Sequence, residues 1–149
     1  MQKEKTLNEA IVLERTYDAS VNAVWQALTD KEKMKQWYFD IKDFKLEVGH
    51  TFHFYAGDDK KQYLHICVVK EVIPQKKLSY TWKYDYDPNE SLVIFEVFPE
   101  GTKTKLRLTH EGVDNFSKDH PEFARKNFVQ GWTGFVDKEL KEFLEKDKS

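Results

Sequence analysis

Residues 91–111 read SLVIFEVFPEGTKTKLRLTHE. Before Pro99-Glu100-Gly101-Thr102 three apolar side chains fall on one face, and after this turn apolar and polar side chains alternate, which is the period of a β-strand with one buried face. The alternating residues are Val93, Phe95 and Val97 before this turn and Leu106, Leu108 and His110 after it. The opposite face of the second half carries Lys103, Lys105, Arg107, Thr109 and Glu111, so it should face water. The segment therefore predicts an antiparallel hairpin joined by a tight turn.

Further strands are predicted upstream of this hairpin. They are Glu9–Tyr17, a strand containing Phe52 and Phe54, the segment Gln62–Ile73, and a strand containing Leu78, Tyr80 and Trp82. Turns are predicted at Gly49, 57–59, 74–77 and 85–90. The period of two is expected to begin at Asp40. Gln62–Ile73 is apolar on both faces, so its inward face stays open.

Two short helices are predicted between the first strand and the others. Ser20 is a good N-cap for a helix in which Val24, Trp25 and Leu28 recur at helical spacing. Thr29 with Glu32 forms the pattern of a capping box, which predicts a second helix that starts there and ends near Trp37.

A long helix is predicted at the C-terminal end. Asp119 or His120 is expected to cap it, with Pro121 in the first turn and the end near Lys146. Its apolar stripe contains Phe128, Trp132, Phe135, Val136, Leu140, Phe143 and Leu144. Gly131 and Gly134 lie inside this helix, where each costs about 0.5–1 kcal/mol relative to Ala. They predict either a close approach of another element or a bend.

The predicted order is one strand, two helices, six strands and one long helix. Consecutive strands joined by hairpin turns favour an antiparallel meander. The expected fold class is α+β, with a curved antiparallel sheet of about six to seven strands wrapped around the C-terminal helix. No linker or repeat interrupts the chain, which predicts a single domain over 1–149.

Composition disfavours several classes of partner. The chain has 24 Lys plus Arg and 26 Asp plus Glu, so bulk charge does not predict nucleic-acid binding. The polar start and the lack of a long apolar run predict no signal peptide, no membrane span and a cytoplasmic location. Cys67 is the only cysteine and lies in an apolar segment, so it is expected to be a buried, inert thiol.

The order and spacing of several motifs resemble those of a known family. They are Ala19–Asp30 followed by Trp37, Pro74 with LSYTW at 78–82, Gly101-Thr102, LRLTHEG at 106–112, and Gly131-Trp132. Over about residues 10–145 the chain resembles the START-like (SRPBCC) superfamily, and within it the branch named for the activator of the heat-shock protein 90 ATPase. The resemblance implies a helix-grip fold with a cavity between the sheet and the long helix. The superfamily includes lipid and hormone binders, polyketide cyclases and chaperone regulators.

Several histidines are candidates for metal binding or acid–base chemistry. His50 and His53 fall on opposite faces of a strand, and His65 could meet His53 across a strand pair, but two histidines make a weak metal site, so no metal is expected. His110 is expected to point inward, as a polar anchor, a general base or a hydrogen-bonded histidine of the core. Nucleophilic chemistry by Cys67 with His65 is disfavoured. No nucleophile elbow or phosphate loop is present, so neither catalytic residues nor a cofactor is predicted.

The inward side chains predict a cavity for an apolar molecule, although each ring taken alone is explained by core packing. The candidate ligand-binding residues are Phe52, Phe54, Tyr80, Trp82, Phe95, Leu108, His110, Trp132 and Phe135. The Tyr80 hydroxyl, the Trp82 indole and His110 are expected to orient the ligand. The leading hypothesis is a binding protein for a small hydrophobic or amphipathic molecule. The alternatives are a chaperone-linked or stress-linked regulator, implied by the resemblance, and a cyclase- or hydrolase-type enzyme that uses His110.

Overall fold

The computed structural model describes residues 10–57, 62–85, 89–113 and 125–145 of the 149-residue chain. The described strands are β1 (Ile11–Tyr17), β2 (Thr51–Gly57), β3 (Gln62–Ile73), β4 (Lys77–Tyr84), β5 (Glu90–Glu100) and β6 (Lys103–Glu111). The helices are α1 (Val21–Thr29), α2 (Lys31–Trp37), α3 (Arg125–Gly134), a π-helical segment (Phe135–Glu139) and α4 (Leu140–Glu145). The last three are continuous and are called the C-terminal helix.

The six described strands form one antiparallel sheet. Its order is β1-β6-β5-β4-β3-β2, so β2 to β6 make a meander and β1 returns to pair with β6. The register of the central hairpin places Phe95 opposite Leu108 and Val93 opposite His110. The C-terminal helix packs its buried Trp132 and Val136 against the inner face of the sheet. The predicted α+β helix-grip architecture is therefore confirmed.

The alternation that predicted the strands is reflected in their burial. Leu106, Leu108 and His110 of β6 are buried, while Lys103 and Glu111 on the other face are exposed. In β5, Val93, Phe95 and Val97 are buried, and the residues between them are partly buried. The open question of β3 is settled by its burial pattern: His65, Cys67 and Val69 face inward, and a bulge between Val69 and Glu71 ends that alternation.

The prediction of a period of two from Asp40 onward is wrong. Residues 40–50 form turns, and only five described strands follow α2 instead of six. The buried residues here are Ile41 and Phe44, which are three apart, and the Phe44 N–H donates to the Ile41 carbonyl at 3.3 Å. Asp43 then fastens the segment to the sheet edge, because its carboxylate accepts the backbone N–H of His53 at 3.1 Å.

The helix caps agree with the sequence in one case and not in the other. Ser20 caps α1 as predicted, accepting the Ala23 N–H at 3.1 Å. Thr29 does not cap α2, because it is the last residue of α1 and its hydroxyl donates to the Trp25 carbonyl at 2.8 Å. Asp30 is the cap, with its carboxylate accepting the Glu32 N–H at 2.9 Å.

The C-terminal helix contains a wide π turn directly after Gly134. The Tyr17 hydroxyl donates to the Val136 carbonyl of this turn at 2.7 Å, and Arg15 pairs with Asp137. Such turns are rare and distort the helix that contains them. The predicted cap at Asp119 or His120, Pro121 and the helix end near Lys146 lie outside the described residues, as do residues 58–59 and 86–88 of the two predicted turns.

The two helix glycines face open space. No atom of another described element lies within 4 Å of a Cβ built on Gly131 or on Gly134, so no described element makes the predicted close approach. The alternative prediction, a local distortion, fits Gly134, which immediately precedes the π turn.

Replacement Gly131→Ala is expected to stabilise the protein by about 0.5–1 kcal/mol, because alanine loses less backbone entropy and meets no obstacle there. Urea unfolding measures the change. The matched control is Gly101→Ala, which forces a side chain onto a residue with φ of 64° and should destabilise. A loss of stability in Gly131→Ala would show that an element outside the described ranges packs on this face.

Candidate functional site

The predicted ligand-binding residues come together on the inner face of the sheet. Eight of the nine are buried, and Phe135 of the C-terminal helix is partly exposed. We call six of them the ring cluster: Phe52, Phe54, Tyr80, Trp82, Phe95 and Trp132. Their rings form a continuous series of contacts between the sheet and the helix. Centroid distances are 5.1 Å for Phe52–Tyr80, 5.7 Å for Phe54–Trp82, 5.5 Å for Trp82–Trp132 and 6.1 Å for Phe95–Trp132.

Two further rings, which the sequence reading did not select, join the site from the end of α2. Phe39 stacks on Phe54 with centroids 4.5 Å apart, and Tyr38 lies 5.1 Å from Phe135. Both side chains are partly exposed. We call Tyr38, Phe39 and Phe135 the entrance rings, since they connect the buried cluster to the surface. The signal that could have found them is the run of three aromatic residues, Trp37-Tyr38-Phe39, at the end of a short helix.

The π turn lies at the entrance. Phe135 is its first residue, and its ring lies 5.2 Å from Phe39 and 6.0 Å from Trp132. The widened turn is anchored from the other side by the Tyr17 hydroxyl. Single π turns inside α-helices occur frequently at functional sites.

His110 lies within a series of hydrogen bonds that begins at Trp132 and ends at the Trp82 carbonyl. The Trp132 indole N–H, which can only donate, donates to His110 Nδ1 at 3.0 Å. Because Nδ1 accepts, the neutral ring carries its hydrogen on Nε2, which donates to the Ser91 hydroxyl at 2.7 Å. Ser91 in turn donates to the Trp82 carbonyl at 3.1 Å. This series of hydrogen bonds ties the C-terminal helix to strands β4, β5 and β6.

These hydrogen bonds leave His110 unsuited to acid–base catalysis. Both ring nitrogens are engaged, the residue is 0% exposed, and burial lowers its pKa to about 3. A general base needs a free lone pair and a pKa near the working pH. Its role as a hydrogen-bonded core residue explains every contact that it makes.

The other described histidines do not assemble a reactive site. His53 and His65 do not meet, because Phe54 pairs with His65 and His53 lies on the outer face, where its Nδ1 is 3.0 Å from the Asp43 carboxylate. His65 is buried, stacks on Phe54, and its pKa is lowered to about 4 by burial. Burial raises the pKa of Cys67, so its thiol is inert. Within the described ranges, no group of three or more potential metal ligands occurs.

The three polar groups expected to orient a ligand differ in whether their hydrogen bonds leave them available to it. The Trp82 indole donates to the Tyr84 hydroxyl at 2.9 Å, and both nitrogens of His110 are occupied, so neither can serve a ligand without breaking a bond. The Tyr80 hydroxyl lies 2.7 Å from that of Tyr38, and either can be the donor. Burial raises the pKa of both tyrosines, so both hydroxyls keep their hydrogen.

The outer side of the sheet carries a different kind of depression. A groove of about 700 Å³ lies mainly on this side. It is lined by Lys70, Glu71, Ser79, Thr81, Glu90, Ser91, Leu92, Glu111 and Gly112. Charged and hydroxyl side chains dominate this lining, so it matches an apolar molecule less well than the ring cluster does.

Comparison with known proteins identifies the family. The family model described as Activator of Hsp90 ATPase homolog 1-like protein matches residues 18–145. A search of the curated proteins found no match. Among the described residues, no helix combines the length and the apolar character needed to cross a membrane.

Solved structures agree with this match. Protein MLL2253 from Mesorhizobium loti is 30% identical with a TM-score of 0.74, over 93% of this chain and 98% of that one. The Aha1 dimer from Colwellia psychrerythraea is 24% identical with a TM-score of 0.67, over 91% and 96%. DynU16, a protein of the dynemicin biosynthetic locus, is 21% identical with a TM-score of 0.73, over 93% of this chain and 48% of that one. The last two likenesses show the fold alone.

Proposed function

This chain belongs to the family of Activator of Hsp90 ATPase homolog 1-like proteins, and from that premise we propose that it binds a small hydrophobic or amphipathic molecule between its sheet and its C-terminal helix. The proposal includes no catalytic step. The observation that carries it is the continuity between the partly exposed entrance rings and the buried ring cluster.

The path for such a molecule runs between Phe39 and Phe135. Their centroids are 5.2 Å apart, and the rings of Phe54 and Trp82 lie directly behind Phe39. Rotation of the two side chains would open the ring cluster without breaking a strand pair, because neither residue belongs to the sheet.

The described interior suits an apolar ligand. Its walls are aromatic, and the buried polar groups of His110 and Trp82 are already paired. Flat ring systems that slide between aromatic side chains gain area burial and favourable ring contacts of about 0.5–1.5 kcal/mol each. Aromatic or polycyclic molecules are thus the favoured class.

The neutral fluorescent probe N-phenyl-1-naphthylamine is expected to bind saturably with one site per chain. Variants Phe39→Ala and Phe135→Ala should each weaken probe binding and raise its dissociation constant by about ten-fold, since each removes one wall of the entrance. Tyr55→Ala is the matched control, because this ring is 67% exposed on the outer face of β2. Probe binding that none of these variants alters would place the site elsewhere and contradict the proposal.

A chaperone-linked regulatory role is the second candidate, favoured by the family match over residues 18–145. It differs from the first in needing a protein partner. Adding the chain to the host's own Hsp90-type chaperone separates the two: a change in ATPase rate supports the regulator, and an unchanged rate with a bound small molecule supports the binding protein. We propose a cytoplasmic location for both candidates, as the sequence predicts.

A further inference from the structure

We infer that the hydroxyl pair of Tyr38 and Tyr80 is the polar anchor of the ligand site, and that the ligand is an uncharged aromatic molecule bearing a hydrogen-bond acceptor such as a ketone or quinone oxygen. The inference rests on the proposed function, because it assigns the chemistry of the same site.

The two hydroxyl groups together hold one hydrogen more than their mutual bond uses. Two hydroxyl groups that face each other at 2.7 Å have two hydrogens between them, and their mutual bond uses one. The second hydrogen points away from the pair. An unpaired donor in a buried setting is costly, whereas an unused lone pair is tolerated more readily. The pair therefore favours a partner that accepts.

Aromatic rings surround the hydroxyl pair, so an acceptor that reaches it would belong to a molecule held between these rings. The Tyr38 ring is stacked with Trp37 at 4.8 Å and with Trp132 at 6.1 Å, and Phe135 lies 5.1 Å away. Tyr80 itself is 1% exposed and sits against Phe52. The available hydrogen thus lies within aromatic walls, next to an entrance ring, where a flat ligand would be held.

The charge of the ligand follows from the described interior. Its buried polar side chains are histidine, serine and threonine, and no lysine or arginine is among them. A carboxylate ligand would leave water without a countercharge, which costs several kcal/mol. A neutral acceptor avoids this penalty and uses the single available donor.

The test compares 2-acetylnaphthalene with 2-ethylnaphthalene, which has nearly the same shape and lacks the oxygen. In the double variant Tyr38→Phe/Tyr80→Phe the donor is absent, and the variant should fold, since replacing both members of a buried pair by apolar groups of the same shape is nearly neutral. The dissociation constant of 2-acetylnaphthalene divided by that of 2-ethylnaphthalene should be about five-fold or more higher in this variant than in the wild type, because only the ketone loses a hydrogen bond. The control variant Tyr55→Phe should leave the ratio unchanged.

Each outcome decides a different claim. A shifted ratio, with weaker binding of 2-naphthoate than of the ketone, supports the anchor. Equal ratios in the wild type and the double variant, with both probes still bound, would overturn the anchor while the proposed function stands. Failure of the wild type to bind either probe would overturn both.

Discussion

Replacement His110→Ala is expected to destabilise the protein by about 4 kcal/mol. The change removes a fully buried ring and leaves the Trp132 indole N–H without its acceptor and the Ser91 hydroxyl without the Nε2–H donor. Each unsatisfied buried group costs about 1–3 kcal/mol, and the cavity adds to this. Because this series of hydrogen bonds joins the C-terminal helix to three strands, the loss of stability should appear in the global unfolding transition measured with urea.

The neighbouring residue provides the control for this prediction. Glu111 is exposed on the opposite face of β6, so Glu111→Ala should change the free energy of unfolding by less than about 0.5 kcal/mol. Trp132→Phe, which keeps an aromatic ring but deletes the N–H, should fall between the two. A cost below about 1 kcal/mol for His110→Ala would show that this series of hydrogen bonds does not hold the helix to the sheet.

Acid is the second strong perturbation, and its effect follows from the two buried histidines. Burial lowers the pKa of His110 to about 3 and that of His65 to about 4, from an ordinary value near 6.5. Below pH 6.5 these two histidines bind protons in the unfolded chain but stay neutral in the folded chain, so folding is increasingly disfavoured. Stability is thus complete above pH 6.5 and is lost as the pH falls towards 3–4. The expected loss between pH 6.5 and 5.0 is about 3 kcal/mol.

Urea unfolding at several pH values measures this loss. The slope between pH 6.0 and 5.0 should approach two protons in the wild type and one in His65→Phe, which removes one of the two groups. This window lies above the range in which ordinary carboxylates titrate. A free energy of unfolding that stays constant between pH 6.5 and 5.0 would mean that the histidines protonate in the folded protein.

The sheet could be predicted from the sequence because its evidence is local. In β6, side chains alternate between apolar and polar, and one buried face then fixes the inward set. β3 lacked this contrast, since Tyr63, Cys67 and Val69 compete with Leu64, Ile66 and Val68. Only its pairing with β2 and β4 decides that His65 and Cys67 point inward.

The polar details of the site could not be predicted, because they depend on contacts between distant residues. His110 was placed correctly on the inner face, but its partner Trp132 lies 22 positions away and Ser91 lies 19 away. The pairing of Tyr38 with Tyr80 spans 42 positions. Tyr38 lies between the predicted end of a short helix near Trp37 and the predicted strand period from Asp40, so nothing in its spacing indicated that it turns back to the ring cluster.

The most direct test of ligand binding between the sheet and the C-terminal helix is an aromatic ¹H–¹³C NMR titration of the intact chain with 2-acetylnaphthalene. Saturable shifts are expected for Tyr38, Phe39, Phe135 and Trp132, while Tyr55 on the outer face stays unchanged. Shifts confined to Tyr55 and to residues around the outer groove, or no saturable shift of the entrance rings, would contradict the account.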